Sequence, residues 1–170
     1  MLFTDFVQDV PDFPKAGILF RDITPLLSDP HAFHQAVEAM TRPVSPLHAT
    51  HVMGIESRGF IFGAAMAQRL SLGFVPARKP GKLPRATYQE AYGLEYGTDS
   101  LEIHKDAFKP GDRVLIVDDV LATGGTAAAA RKLVERSGAT AVGLTLFIEL
   151  AGLTGRDKLM GLPVFSVLRY

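Results

Sequence analysis

Residues 114–126, VLIVDDVLATGGT, constrain this chain more than any other stretch. Residues 114–117 are apolar and mostly β-branched, as in a parallel strand buried on both faces. Two carboxylates, Asp118 and Asp119, follow where that strand is expected to end. Ala122, Thr123, Gly124, Gly125 and Thr126 come next, and residues 127–136 are a strong helix-forming run. The first backbone N–H groups of a helix lack intrahelical partners and carry the positive end of its dipole. Glycines at that point permit φ > 0 and close backbone approach, so the loop can wrap a phosphate. The Thr123 and Thr126 hydroxyls add donors. The neighbouring acids would repel a phosphate held in the loop unless something lay between them, and a ribose fits that gap. Its hydroxyls donate to the carboxylates while its phosphate sits in the loop. No Lys follows the glycines, so this is not a Walker A loop, and it lacks the G-x-G-x-x-G dinucleotide pattern. Read alone, the piece also fits an ordinary strand–turn–helix junction with a solvated acidic turn.

Charge balance leaves anion binding to local clusters. Lys and Arg total 18 and Asp and Glu total 18, so no global field favours nucleic acid or an anionic membrane. With no cysteine among 170 residues, disulfides and thiolate metal sites are excluded. The N-terminus carries acids rather than a basic leader, and no apolar run approaches a membrane span. The expectation is a cytoplasmic protein of one domain, residues 1–170, long enough for a full α/β core.

Apolar residues in 2–10 recur near helical spacing and stop at Pro11. Residues 11–30 are rich in Pro and read as extended, irregular chain capping the core. A helix is expected from about His31 to Thr41, with Asp29 or Ser28 as its cap. Residues 51–56 form a short apolar strand, followed by Ser57, Arg58 and Gly59 and a helix over 60–70. That turn suits a second anion, such as pyrophosphate, or is simply solvated. Residues 73–77 make another strand. Arg78, Lys79 and Lys82 then place three cations within five residues, before a polar stretch without period. Its length favours an active-site lid over a long hairpin with a solvated tip. Strands follow at 100–104, 140–150 and 164–168, with Gly138 closing the helix before the second of them. Alternating strands and helices predict a mainly parallel sheet flanked by helices, with ligands beyond the carboxyl ends of its strands.

Together with 114–126, the segments GILFRDITPLL (17–27), GIESRGFIFG (54–63), RKPGKLP (78–84) and YGLEYGTDSLEIHKDA (92–107) resemble the type I phosphoribosyltransferases. The match runs in order along nearly the whole chain, and GILFRD and LEYG point to the family members that use adenine. The resemblance implies a parallel five-stranded core, a small N-terminal hood of about residues 1–30, a flexible lid of about 79–98, and a homodimer. It implies conversion of adenine and phosphoribosyl pyrophosphate to AMP and pyrophosphate, as in purine salvage, with Mg²⁺ held mainly by substrate and water rather than directly by the chain. Residues 122–126 would cradle the ribose phosphate. Asp118 and Asp119 would face the ribose hydroxyls and offset charge developing on the sugar. Arg58, Arg78, Lys79 and Lys82 would hold pyrophosphate, with the Ser57–Arg58 peptide suspected to be cis. Phe20 would stack on adenine, backbone groups of Leu19 and Arg21 would read its edge, and Glu95 would exchange a proton with the base. A transferase for another base, or a non-catalytic nucleotide-sensing regulator on the same fold, is the alternative; retention of Glu95, Phe20 and the cationic turn favours the enzyme.

Overall fold

A computed structural model describes residues 1–94 and 97–170. The chain divides into two compact units, Met1–Ala39 and Met40–Tyr170. In the first, the helical spacing at the N-terminus yields only a 3₁₀ turn, Phe3–Phe6, before strand β1 (Gln8–Pro11). β1 pairs antiparallel with β2 (Leu19–Asp22), in register from Gln8 opposite Asp22 to Pro11 opposite Leu19. This stretch was expected to be irregular. The chain reverses through Asp12 at φ 56°, whose carboxylate accepts from Gly17 N–H at 2.8 Å, and that turn sets up the pairing. Helix α1 (Thr24–Ser28) follows, and α2 (Pro30–Thr41) starts as expected. Asp29 Oδ1 accepts from the amides of His31 and Ala32 at 3.0 and 2.8 Å, capping α2 with Pro30 in its first turn.

The second unit is built on the expected parallel sheet. Its strands are β3 (His51–Ile55), β4 (Gly73–Ala77), β7 (Arg113–Leu121), β8 (Thr140–Glu149) and β9 (Val164–Arg169). They lie in the order β4-β3-β7-β8-β9, every neighbouring pair parallel. Helix α3 (Gly59–Leu70) connects β3 to β4, and α4 (Gly125–Arg136) connects β7 to β8. Alternate residues explain how both faces are covered. Val114, Ile116, Leu144 and Leu146 pack in one cluster with Ala130, Leu133 and Val134 of α4. On the other face, Phe147 stacks on Phe62 of α3, with ring centroids 5.7 Å apart. Residues 114–117 are accordingly fully buried, which is why their sequence is continuously apolar.

Two expectations need correction. β7 does not end before the acidic pair: it runs through Asp118 and Asp119 to Leu121, because β8 is long enough to supply partners as far as Leu121 opposite Glu149. The polar stretch after Lys82 is not structureless. It contains an antiparallel hairpin of β5 (Thr87–Leu94) and β6 (Gly97–His104), from Thr87 opposite His104 to Leu94 opposite Gly97. Leu101 and Ile103 of β6 are fully buried in the α4-side core, where Tyr92 of β5 is buried with them and Tyr88 packs against the cluster. No helix among the described residues is long and apolar enough to cross a membrane.

Candidate active site

In this strand order the connections from the two central strands lead in opposite directions, from β3 outward to β4 and from β7 outward to β8. A crevice opens at such a switch point, beyond the carboxyl ends of the two central strands. The structure has a cleft of about 480 Å³ there. Its wall includes Glu56, Ser57 and Arg58 from the turn after β3, Lys79 from the segment after β4, and Asp118, Asp119 and Val120 from β7. Ala122 and Thr126 line it from the loop and first turn of α4, and Tyr92 lines it from β5. A narrower recess of about 70 Å³ adjoins it and is lined by Thr123 and Gly124 as well.

The loop has the backbone a phosphate cradle needs. Gly124 caps α4 at φ 86°, a conformation that side chains with a Cβ rarely adopt. Space forbids one as well: a Cβ there would lie 2.3 Å from the Gly155 carbonyl oxygen. Gly125 lies against Tyr92 and the Gly93 carbonyl. The expected acidic pair is also in the cleft. Asp119 is 5% exposed and its carboxylate accepts from Arg58 Nε. Asp118 Oδ1 accepts the Asp119 amide at 2.9 Å. Burial raises the Asp118 pKa well above the usual carboxylate range, and the charge of Asp119 raises it further.

The cations are organised by carboxylates whose part the sequence did not announce. Arg78 Nε donates to Glu56 Oε1 at 2.8 Å, and its backbone bridges to Glu102 of β6. Lys79 Nζ donates to Asp99 and, at 2.7 Å, to Tyr92 Oη. Burial lowers the Lys79 pKa, but the bonds to Asp99 and Tyr92 together outweigh it and leave it raised. The same bond to Lys79 lowers that of Asp99. Lys82 is not part of the cleft wall; its carbonyl accepts from Arg78 Nη1 at 3.4 Å. In this turn the cis peptide is Glu56–Ser57, one bond before the suspected Ser57–Arg58; the other among the described residues is Phe13–Pro14.

Leu19, Phe20 and Arg21 all lie on β2 in the first unit. Phe20 meets Phe13 edge-on at 5.1 Å, and both line an apolar recess of about 290 Å³ with Val10 and Asp22. Arg21 pairs with Asp9 across the hairpin, and Leu19 is exposed. Glu95 lies outside the described residues. Among those described, no group of three or more His, Cys, Asp or Glu side chains gathers around a metal position.

The phosphoribosyl transferase domain matches residues 30–160. The chain belongs to the phosphoribosyltransferase family. Within that family it is 57% identical over 165 residues to the adenine phosphoribosyltransferase of Carboxydothermus hydrogenoformans, covering 97% of each chain. The crystal structure of the Rhodothermus marinus adenine phosphoribosyltransferase superposes with a TM-score of 0.94 at 53% identity, covering 99% of this chain and 96% of that one. The Saccharomyces cerevisiae enzyme, complexed with adenine and an imino-altritol bisphosphate, superposes at 0.92 with 40% identity, over 97% and 96% of the two chains. This phosphoribosyltransferase therefore carries its cleft at the topological switch point of a fold shared with adenine phosphoribosyltransferases.

Proposed function

We propose that the chain is an adenine phosphoribosyltransferase: it joins adenine N9 to C1′ of phosphoribosyl pyrophosphate, breaks the C1′–oxygen bond, and releases pyrophosphate and AMP. The observation that carries this reading is the shared rim of one cleft, where a helix N-terminus behind a glycine loop adjoins Asp118, Asp119 and the cations Arg58 and Lys79. In this reading the 5′-phosphate binds residues 122–126, where backbone amides and the Thr123 and Thr126 hydroxyls donate to it. Asp118 and Asp119 accept from the ribose hydroxyls and offset positive charge as the sugar flattens. Arg58, Arg78, Lys79 and Lys82 hold the departing pyrophosphate as its negative charge grows. Phe20 stacks on the base, backbone groups of Leu19 and Arg21 read its edge, and Glu95 exchanges its proton. The apolar recess around Phe20 supports the stacking role.

Mg²⁺ fits this donor set as an ion that enters on substrate oxygens. The cleft offers Asp118, Asp119 and Glu56 as carboxylates reachable through water, without a cage of its own. When bound, Mg²⁺ neutralises pyrophosphate charge. The reading extends to a single functional domain over 1–170, a hairpin that closes as a lid, a homodimer and a cytoplasmic setting, all of which rest on the family resemblance.

Base choice tests the assignment. Adenine offers an exocyclic amine donor beside an unprotonated ring nitrogen, and hypoxanthine reverses both. A pocket edge of backbone groups cannot rotate to suit the second base. Leaving two buried groups unpaired corresponds to discrimination of roughly a hundredfold to ten-thousandfold. In competition at matched concentrations with Mg²⁺ and phosphoribosyl pyrophosphate, adenine is expected to be consumed almost alone. Equal use of hypoxanthine, or no pyrophosphate release with any base, would overturn the assignment.

A further inference from the structure

The phosphate loop rests on a segment that no motif marked. Gly155 starts a 3₁₀ turn, Gly155–Leu159, and its backbone lies directly behind the loop. The contact leaves no room on either side. A Cβ on Gly124 would meet the Gly155 oxygen at 2.3 Å, and one on Gly155 would meet the Ala122 oxygen at 2.5 Å and Leu121 Cγ at 2.9 Å. Two backbones packed this closely move together, since close-packed interiors transmit displacement instead of absorbing it.

What fixes the turn is an ion pair on a buried carboxylate at the end of β8. Glu149, 3% exposed, accepts from Arg156 through both carboxylate oxygens, Nε to Oε1 and Nη2 to Oε2, each at 2.7 Å. Ser166 Oγ donates to it at 2.7 Å, and Arg169 lies 3.5 Å away. Arg156 also donates to the Val164 carbonyl at 2.9 Å, so one side chain ties the turn to both β8 and β9. On the far side, Arg131 of α4 donates to the Met160 carbonyl at 2.8 Å. The turn is thus a strut, held at one end by the last two strands and at the other by the helix whose N-terminus the phosphate would meet.

We propose that Glu149 and Arg156 are positioning residues for phosphate binding: they hold the Gly155 strut against Gly124 and so fix the backbone donors of the loop. Neither touches substrate. This rests on the reading of residues 122–126 as the phosphate cradle, and it assigns to a remote ion pair a share of ribose-phosphate affinity while leaving the pyrophosphate cations untouched.

The test separates those two affinities by calorimetric titration of the full chain with ribose 5-phosphate and, separately, with Mg²⁺ and inorganic pyrophosphate. Glu149→Gln and Arg156→Met are expected to weaken ribose 5-phosphate roughly three- to thirtyfold, the range remote coupling spans, with pyrophosphate within about twofold. Arg156→Lys, which keeps the charge but not the fork, is expected to fall between wild type and Arg156→Met. In turnover, KM for phosphoribosyl pyrophosphate should rise while KM for adenine holds. Arg131→Gln, which releases the other end of the strut without disturbing a buried charge, carries the same test if a Glu149 or Arg156 variant does not fold. Unchanged ribose 5-phosphate affinity in the folded variants, or equal weakening of both ligands, would overturn the inference. Thr126→Val probes the cradle itself: if it leaves ribose 5-phosphate affinity unchanged, the cradle reading fails and the strut inference with it. If it weakens binding and the strut variants do not, only the strut inference fails.

Discussion

Inside the cleft Asp118 holds its proton more tightly than an exposed carboxyl does, since burial and the adjoining Asp119 both disfavour its charge. Its folded pKa therefore exceeds its unfolded one. As pH rises, the unfolded chain loses this proton first, so ionisation favours unfolding from the unfolded value upward, fully once pH passes the folded value. Asp118→Asn removes that cost and is expected to melt higher than wild type at pH 7 but not at pH 3. If Asp118 acts on the sugar as proposed, the same variant is expected to turn over about a hundredfold or more slower. Unchanged melting counts against the first statement, and turnover within about twofold of wild type against the second. Glu95→Gln keeps size but not a titratable proton, and turnover should drop by roughly 10²–10⁴ while phosphoribosyl pyrophosphate still binds. A single-turnover rate near wild type would remove Glu95 from the chemistry. At this scale the sequence showed Asp118, Asp119 and the glycine loop, because they sit in one continuous strand–loop–helix register. It did not show Glu56 or Asp99 as partners, because each lies 22 or 20 residues from the cation it holds and no local period links them.

The hairpin β5–β6 is where local pattern and structure part. Strand β5 turns Tyr88 and Tyr92 to the core but has Glu90 between them, so its apolar alternation is broken and its pairing rests on the backbone ladder. Leu101 and Ile103, buried on β6, left the clearest trace. The same physics hid β1 and β2, short strands without a buried hydrophobic face. The extension of β7 past Val117 depended on β8, which a local window does not contain. The hairpin is also anchored near its base. Arg136 of α4 donates to the Gln89 carbonyl at 2.7 Å and lies over the Tyr88 ring at 5.0 Å, with Lys105 over that ring at 5.6 Å. Closure over substrate should therefore spare this base. In hydrogen exchange, amides of 101–103 are expected to be equally protected with and without phosphoribosyl pyrophosphate and Mg²⁺, while those of 79–85 slow on binding. Faster exchange at 101–103 in the free chain would mean that the whole hairpin moves.

Across the whole molecule, acid stability should bear the mark of Glu149, whose bonds to Arg156 lower its pKa from 4.5 to about 2. A depressed carboxylate stabilises the fold above its unfolded pKa, and that contribution is lost as pH falls towards the folded value. Wild type should lose it between about pH 4.5 and about 2. Because Arg156 is 41% exposed, solvent screens the pair, and the contribution at pH 7 is on the order of 1–2 kcal/mol. Denaturant titration of Glu149→Gln should show a lower midpoint at pH 7 and a shallower decline over the acid range. Parallel pH curves for variant and wild type would contradict this. The other charges of the molecule are concentrated differently. Arg58, Arg78 and Lys79 are each already held by a tethered carboxylate, on Asp119, Glu56 and Asp99. Under the proposed function, binding there would be an exchange, in which an incoming anion replaces one that cannot diffuse away. Chloride brings a single charge and gains little by displacing a carboxylate of equal charge. A chelated pyrophosphate brings several acceptors at once and can take two or three of these cations together. On that reading the cleft would be deaf to the common ions of the cell without any wall to keep them out.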